Sequence, residues 1–86
     1  MADLDKVLSQ VLHGKPDERV SFEDLRALMV KLGFRDRISR SHHICWKEGI
    51  EEILNLRPEG SFAKPHEVRQ VRHLILKYKL GDLSHA

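Results

Sequence analysis

The sequence predicts a small α+β domain in which helices cover one face of a three-stranded antiparallel sheet, in the order α-α-β-β-β-α. Three observations predict it. Amphipathic helical stretches open and close the chain, and the hydrophobic period between Phe34 and Leu56 changes to that of strands. The turns between the strand-like runs are too short for the crossovers that a parallel sheet requires. Helices this amphipathic need a partner layer, and three strands supply one covered face. The 86 residues are enough for one domain, which buries roughly 60–65% of the surface its unfolded chain exposes.

Each element has its own signal. Leu4, Val7, Leu8, Val11 and Leu12 follow the spacing of one helical face, so a helix is expected over residues 3–13. Asp3 and Asp5 lie in its first turn, where the helix dipole favours negative charge, and Gly14 and Pro16 are its expected stop. Ser21 is a good N-cap for a second helix, with Asp24 three residues on and Val20 as an apolar staple. Phe22, Leu25, Leu28, Met29 and Leu32 line its inner face, and Gly33 stops it. Strands are expected over 34–39, 42–46 and 51–56, with a turn at Lys47-Glu48-Gly49 and a loop over residues 57–61. Pro65 suits the first turn of a last helix reaching about Tyr78. Val68, Val71, Ile75 and Tyr78 are its expected inner face, Gly81 its close, and residues 82–86 are expected to fray.

Composition excludes several classes. Hydrophobic residues at 41% and charged residues at 33% describe a globule rather than a disordered tail. No apolar run approaches the roughly 18 residues of a membrane span, and neither a signal peptide nor membrane association is expected. The single cysteine, Cys45, cannot form an internal disulfide, which suits the reducing cytoplasm. Net charge is only +2, but its distribution is uneven. Arg35, Arg37 and Arg40 cluster before the second strand, while Arg69, Arg72, Lys77 and Lys79 crowd the last helix. Such clusters outline basic patches of the kind that meet phosphates.

Candidate chemistry centres on His42 and His43. Side chains alternate along a strand, so only one of the pair can join a given site. His42 shares parity with Ile44 and Trp46, and His43 with Cys45. Parity leaves open which set faces solvent, and a histidine doublet without any role also fits. Histidine titrates near neutrality and, beside arginines, can move protons at a phosphodiester. Adjacent strand residues diverge, so His42, His43 and Cys45 make a poor metal set. His66 and His73 share a helix face with no second element beside them. No metal or other cofactor is expected. Trp46 and Phe62 are of the type that stacks on bases, although lone aromatics in small domains usually pack.

The string "LGFRDRISRSHHICW" resembles the signature of HicA-family toxins, the ribonuclease components of HicAB toxin–antitoxin modules. That family shows a Leu-Gly-Phe helix end, basic residues, and then Gly-Ser-His-His-Ile-Phe opening a strand. The downstream "EEILNLRPEGSFAKPHEVRQVRHLILKYKL" is similar to the branch with a Lys-Pro segment and a basic, Val-rich helix. The resemblance covers about residues 20–80, making residues 1–86 a single HicA-like domain whose first helix belongs to the longer variants. Three positions depart from the pattern: Arg40 stands at the usual glycine, Cys45 at a common aromatic, and His66-Glu67 at a common Tyr-Gln.

The resemblance implies a double-stranded-RNA-binding-domain-like fold and the toxin of a type II toxin–antitoxin system acting in the stress response. The implied activity is that of an mRNA interferase, an endoribonuclease hydrolysing RNA phosphodiesters. It implies His42 as the catalytic residue, with His43 as the second candidate for proton transfer. Arg35, Arg37, Arg40, Ser41, Arg69 and Arg72 are the expected RNA contacts. The implied partners are mRNA and a HicB-like antitoxin that covers the site. Metal-independent general acid–base chemistry predicts that cleavage survives chelation. The alternative is a non-catalytic double-stranded-RNA-binding module, which reads shape and phosphates and needs no histidine.

Overall fold

Asp3 opens the first helix by capping it. Its carboxylate accepts from the backbone N–H groups of Asp5 (3.1 Å) and Lys6 (3.4 Å), two of the donors a helix start leaves unsatisfied. Helix α1 follows over Leu4–His13. The computed structural model describes residues 3–13 and 17–81, with every side chain among them except that of Glu18. The expected helix stop at Gly14 and Pro16 and the expected fraying of residues 82–86 lie outside the described residues.

A single 3₁₀ turn, Asp17–Arg19, leads to α2, Phe22–Lys31. Ser21 caps α2 as its spacing predicts, its hydroxyl accepting from the Asp24 N–H at 3.3 Å. The helix closes in a Schellman turn. Phe34 N–H donates to Met29 C=O and Gly33 N–H to Val30 C=O, both at 3.0 Å. Gly33 takes the left-handed backbone this turn needs, at φ 96°.

The sheet is an antiparallel meander of β1 (Arg35–Ser39), β2 (His42–Trp46) and β3 (Leu54–Leu56). Arg35 lies opposite Trp46, Arg37 opposite Ile44 and Ser39 opposite His42, while His43 pairs with Leu56 and Cys45 with Leu54. Cys45 is 2% exposed and Leu56 fully buried, so the face carrying His43 and Cys45 meets the helices. Leu25, Leu28 and Met29 of α2 and residues of the last helix share one core with that face, and Val7 and Val11 of α1 join it by packing on α2 and the last helix. Among the described residues, no helix covers the opposite face.

The structure departs from the expected strand and loop in two places. The strand expected over 51–56 shortens to Leu54–Leu56, because the Glu52 carboxylate turns to the last helix. It accepts from Lys77 Nζ at 2.7 Å and from the Tyr78 hydroxyl at 2.6 Å. The loop expected over 57–61 contains part of a small hairpin, β4 (Pro58–Glu59) and β5 (Phe62–Ala63), turning at Gly60 with φ 64°. Backbone bonds from Phe22 N–H to Ser61 C=O (3.0 Å) and Ala63 N–H to Val20 C=O (2.8 Å) tie it to the start of α2. Such long-range pairing leaves no periodic trace in the sequence.

The last helix, α3, spans Pro65–Tyr78 with Pro65 in its first turn. Its buried face includes Leu74 and Glu67 beside Val68, Val71 and Ile75, and Tyr78 is only partly buried. Glu67 is tolerated inside because its carboxylate accepts from the Arg57 N–H at 2.9 Å. Lys79, at φ 56°, ends the helix in place of Gly81. No helix among the described residues is long and apolar enough to cross a membrane.

Candidate active site on the open face of the sheet

The helix-free face of the sheet presents Arg35, Arg37 and Ser39 from β1, His42, Ile44 and Trp46 from β2, and Asn55 from β3. Alternation along each strand and the observed register together put them there. Asn55 lies opposite Ile44 and is therefore the diagonal neighbour of His42, within reach of a long side chain. The reach is used: His42 Nδ1 lies 2.9 Å from Asn55 Oδ1. An amide oxygen only accepts, so Nδ1 carries the proton, and in the neutral ring Nε2 is left as the acceptor. His42 is partly exposed, and Arg35, Arg37 and Arg40 are all exposed. Among the described residues, these three arginines make no ion pair, whereas Arg26, Arg69 and Arg72 each do.

The hairpin between β1 and β2 turns on two residues, Arg40 and Ser41, both exposed. Arg40 has φ 58°. A positive φ at the first position of a two-residue hairpin loop is the conformation that favours glycine. The glycine expected there on family resemblance thus has a local, conformational reason, and Arg40 occupies that backbone without the residue type that suits it.

His43 is placed differently from the expectation of a second proton-transfer group. It projects to the helix-facing side, where its ring meets Phe22 edge-on with centroids 4.9 Å apart. Its Nδ1 is 4.0 Å from Asp36 Oδ2, has no hydrogen-bond partner, and the side chain is 12% exposed. Asp36 is itself held by Arg26 at 3.0 Å. Strand alternation thus separates His43 from His42 by the thickness of the sheet. Cys45 lies on the same inner side. Burial, and secondarily the charge of Asp36, pushes its thiol up to about 11, so it stays protonated at neutral pH.

Arg69 and Arg72 are placed apart from the open face. Both sit on α3, in the helical layer. Arg72 donates to Val11 C=O at 3.0 Å and to both carboxylate oxygens of Asp17, at 3.1 and 3.4 Å, and so joins α3 to α1 and the 3₁₀ turn. Arg69 lies 3.7 Å from Asp17 and is 56% exposed. The two arginines share the single carboxylate of Asp17, and the open face of the sheet is reached by Arg35 and Arg37 instead.

Two grooves flank the sheet. The larger, about 460 Å3, runs between α3 and residues 52–54, is lined by His66, Arg69, Gln70 and His73, and does not include His42. The other, about 420 Å3, lies at the Trp46 end of the open face. Among the described residues, no three His, Cys, Asp or Glu side chains are grouped to hold a metal ion. Asn55 is a site residue that no motif marks, although its place in the strand does. A polar residue between Leu54 and Leu56 in a strand must face away from the core those leucines enter.

Comparison with protein-family models, with curated proteins and with solved structures returned no match.

Proposed function

We propose that this chain is a small endoribonuclease with a double-stranded-RNA-binding-domain-like fold, the toxin of a HicAB-type module acting on mRNA in the cytoplasm. The observation that carries the reading is the setting of His42: an accessible imidazole on the open face, its Nδ1 held by Asn55, with Arg37 as its diagonal neighbour on β1, an arginine that makes no ion pair among the described residues. The resemblance of residues 20–80 to the HicA signature supports the same residue.

The chemistry follows from the tautomer. His42 Nε2 takes the proton of a ribose 2′-hydroxyl, and the resulting oxygen attacks the adjacent phosphorus. The bond to the 5′-oxygen of the next nucleotide breaks, leaving a 2′,3′-cyclic phosphate on one product. The departing oxygen takes its proton from the His42 imidazolium or from water. Arg37, diagonal to His42 across β1, stabilises the charge that builds on the non-bridging oxygens. One positioned proton-transfer group is worth about 10²–10⁴ in rate, which suits a slow nuclease, and His43 on the other face adds nothing to it.

Replacement of His42 by Ala tests the reading. Cleavage of RNA should fall by about 10²-fold or more while the circular-dichroism spectrum is unchanged. Full activity in a folded His42→Ala protein would remove the mechanism. Binding of RNA without cleavage by the unaltered chain would favour the non-catalytic module.

A further inference from the structure

The open face does not end at His42. Four residues further along β2, about 13 Å at strand rise, Trp46 stands on the same face and lines a groove of about 420 Å3. Arg35, Lys47, Glu48, Glu51 and Ile53 share that groove. Its volume falls within the roughly 300–1,000 Å3 span of small-ligand sites. Among the described residues, neither a cation nor another ring stacks on Trp46, and Arg35, Lys47, Glu48 and Glu51 make no ion pair. A lone tryptophan in a small domain normally packs into the core, but the strand register turns this one outward.

We propose that the Trp46 groove is a nucleobase subsite for single-stranded RNA. One base stacks on the indole, and Arg35 holds a phosphate that flanks it. At about 3.4 Å per stacked nucleotide, the subsite lies up to about four nucleotides from the bond at His42. Glu48 and Glu51 accept hydrogen bonds and cannot donate them, so the groove selects bases that offer adjacent donors. Guanine, with a ring N–H beside an amino group, suits a carboxylate best, and uracil, with two carbonyl oxygens, least. This subsite rests on the nuclease reading only in that both require RNA on the open face.

Trp46 is the one tryptophan of the chain, so its fluorescence reports the site directly. Full-length protein carrying His42→Ala is titrated with end-labelled oligouridylate and with oligouridylate containing one guanosine, following tryptophan emission and label anisotropy together. Saturable quenching that tracks binding is expected, with tighter binding of the guanosine oligonucleotide. Glu48→Gln with Glu51→Gln should erase that preference. Trp46→Ala should weaken binding roughly 5- to 150-fold, and Trp46→Phe much less. RNA binding with no change in emission would overturn the subsite, as would no binding at low salt, and equal affinity for the two oligonucleotides would overturn the role of the carboxylates. Cleavage by the chain with His42 intact is scored separately. Quenching without cleavage upholds the subsite and sinks the nuclease, and cleavage without quenching does the reverse.

Discussion

Arg40→Gly separates what the backbone wants from what RNA wants. Arg40 holds φ 58° in a two-residue hairpin loop, and a non-glycine residue in the left-handed region costs roughly 1–2 kcal/mol. Glycine removes that strain but gives back about 0.4–1 kcal/mol through the greater freedom of the unfolded chain. The exposed guanidinium makes no ion pair among the described residues whose loss would offset the gain. The net expectation is stabilisation of about 0.5–1 kcal/mol, or roughly 2–8 °C in the melting midpoint of a domain this size. RNA binding should move the other way. If Arg40 meets one phosphate of a single strand, its removal lowers the slope of log affinity against log salt by about 0.7. Thermal melts and salt-dependent binding isotherms on the same preparation read both effects. A less stable Arg40→Gly protein would refute the conformational argument, and an unchanged salt slope would refute the phosphate contact.

Other predictions follow from the neighbouring geometry. Asn55→Ala should reduce cleavage about tenfold, since it removes a single neutral hydrogen bond worth about 1–1.5 kcal/mol from His42. Asn55→Asp places a carboxylate against the ring and favours the imidazolium, so the rising limb of the pH–rate profile should move to higher pH. A profile that stays in place in both variants would show that Asn55 does not act through His42. Hydrogen bonds from Lys77 and then Tyr78 hold the Glu52 carboxyl down at about 2, against an ordinary value of 4.5. A depressed carboxylate contributes stability that is present above its ordinary value and lost as pH falls through the folded one. The melting midpoint of Glu52→Gln should therefore lie below that of the unaltered chain at pH 6, with the gap closing towards pH 2. The gap should be small, because the pair is exposed to solvent. A HicB-like antitoxin is expected to cover His42 and contact Arg35, Arg37 or Arg40 in an interface of about 1,200–2,000 Å2. An imidazole that titrates freely by NMR in the complex would exclude that arrangement.

The helices were legible in the sequence because their signals are local. A hydroxyl at Ser21 followed by Asp24, an apolar face over Phe22 to Leu32, and a glycine at 33 all act within a few residues of one another, and the structure shows the Ser21 cap, the buried face and the turn at Gly33. The three-stranded meander was legible for a related reason: its turns are too short for any other connection. The tertiary structure alone decided the rest. Alternation divides His42 from His43, but which one faces solvent depends on where α1, α2 and α3 cover the sheet, and burial of Cys45 settles it. The charge clusters looked equivalent in sequence, yet Arg72 pairs with Asp17, distant along the chain, while Arg35 and Arg37 make no ion pair among the described residues. Glu52 and Glu67 broke expectations for the same reason, since their partners Lys77, Tyr78 and the Arg57 N–H come from other elements. Period, cap and turn are set by neighbours in the chain. Exposure, pairing and the choice of a reactive face are set by contacts between residues far apart in it, and no local pattern encodes those.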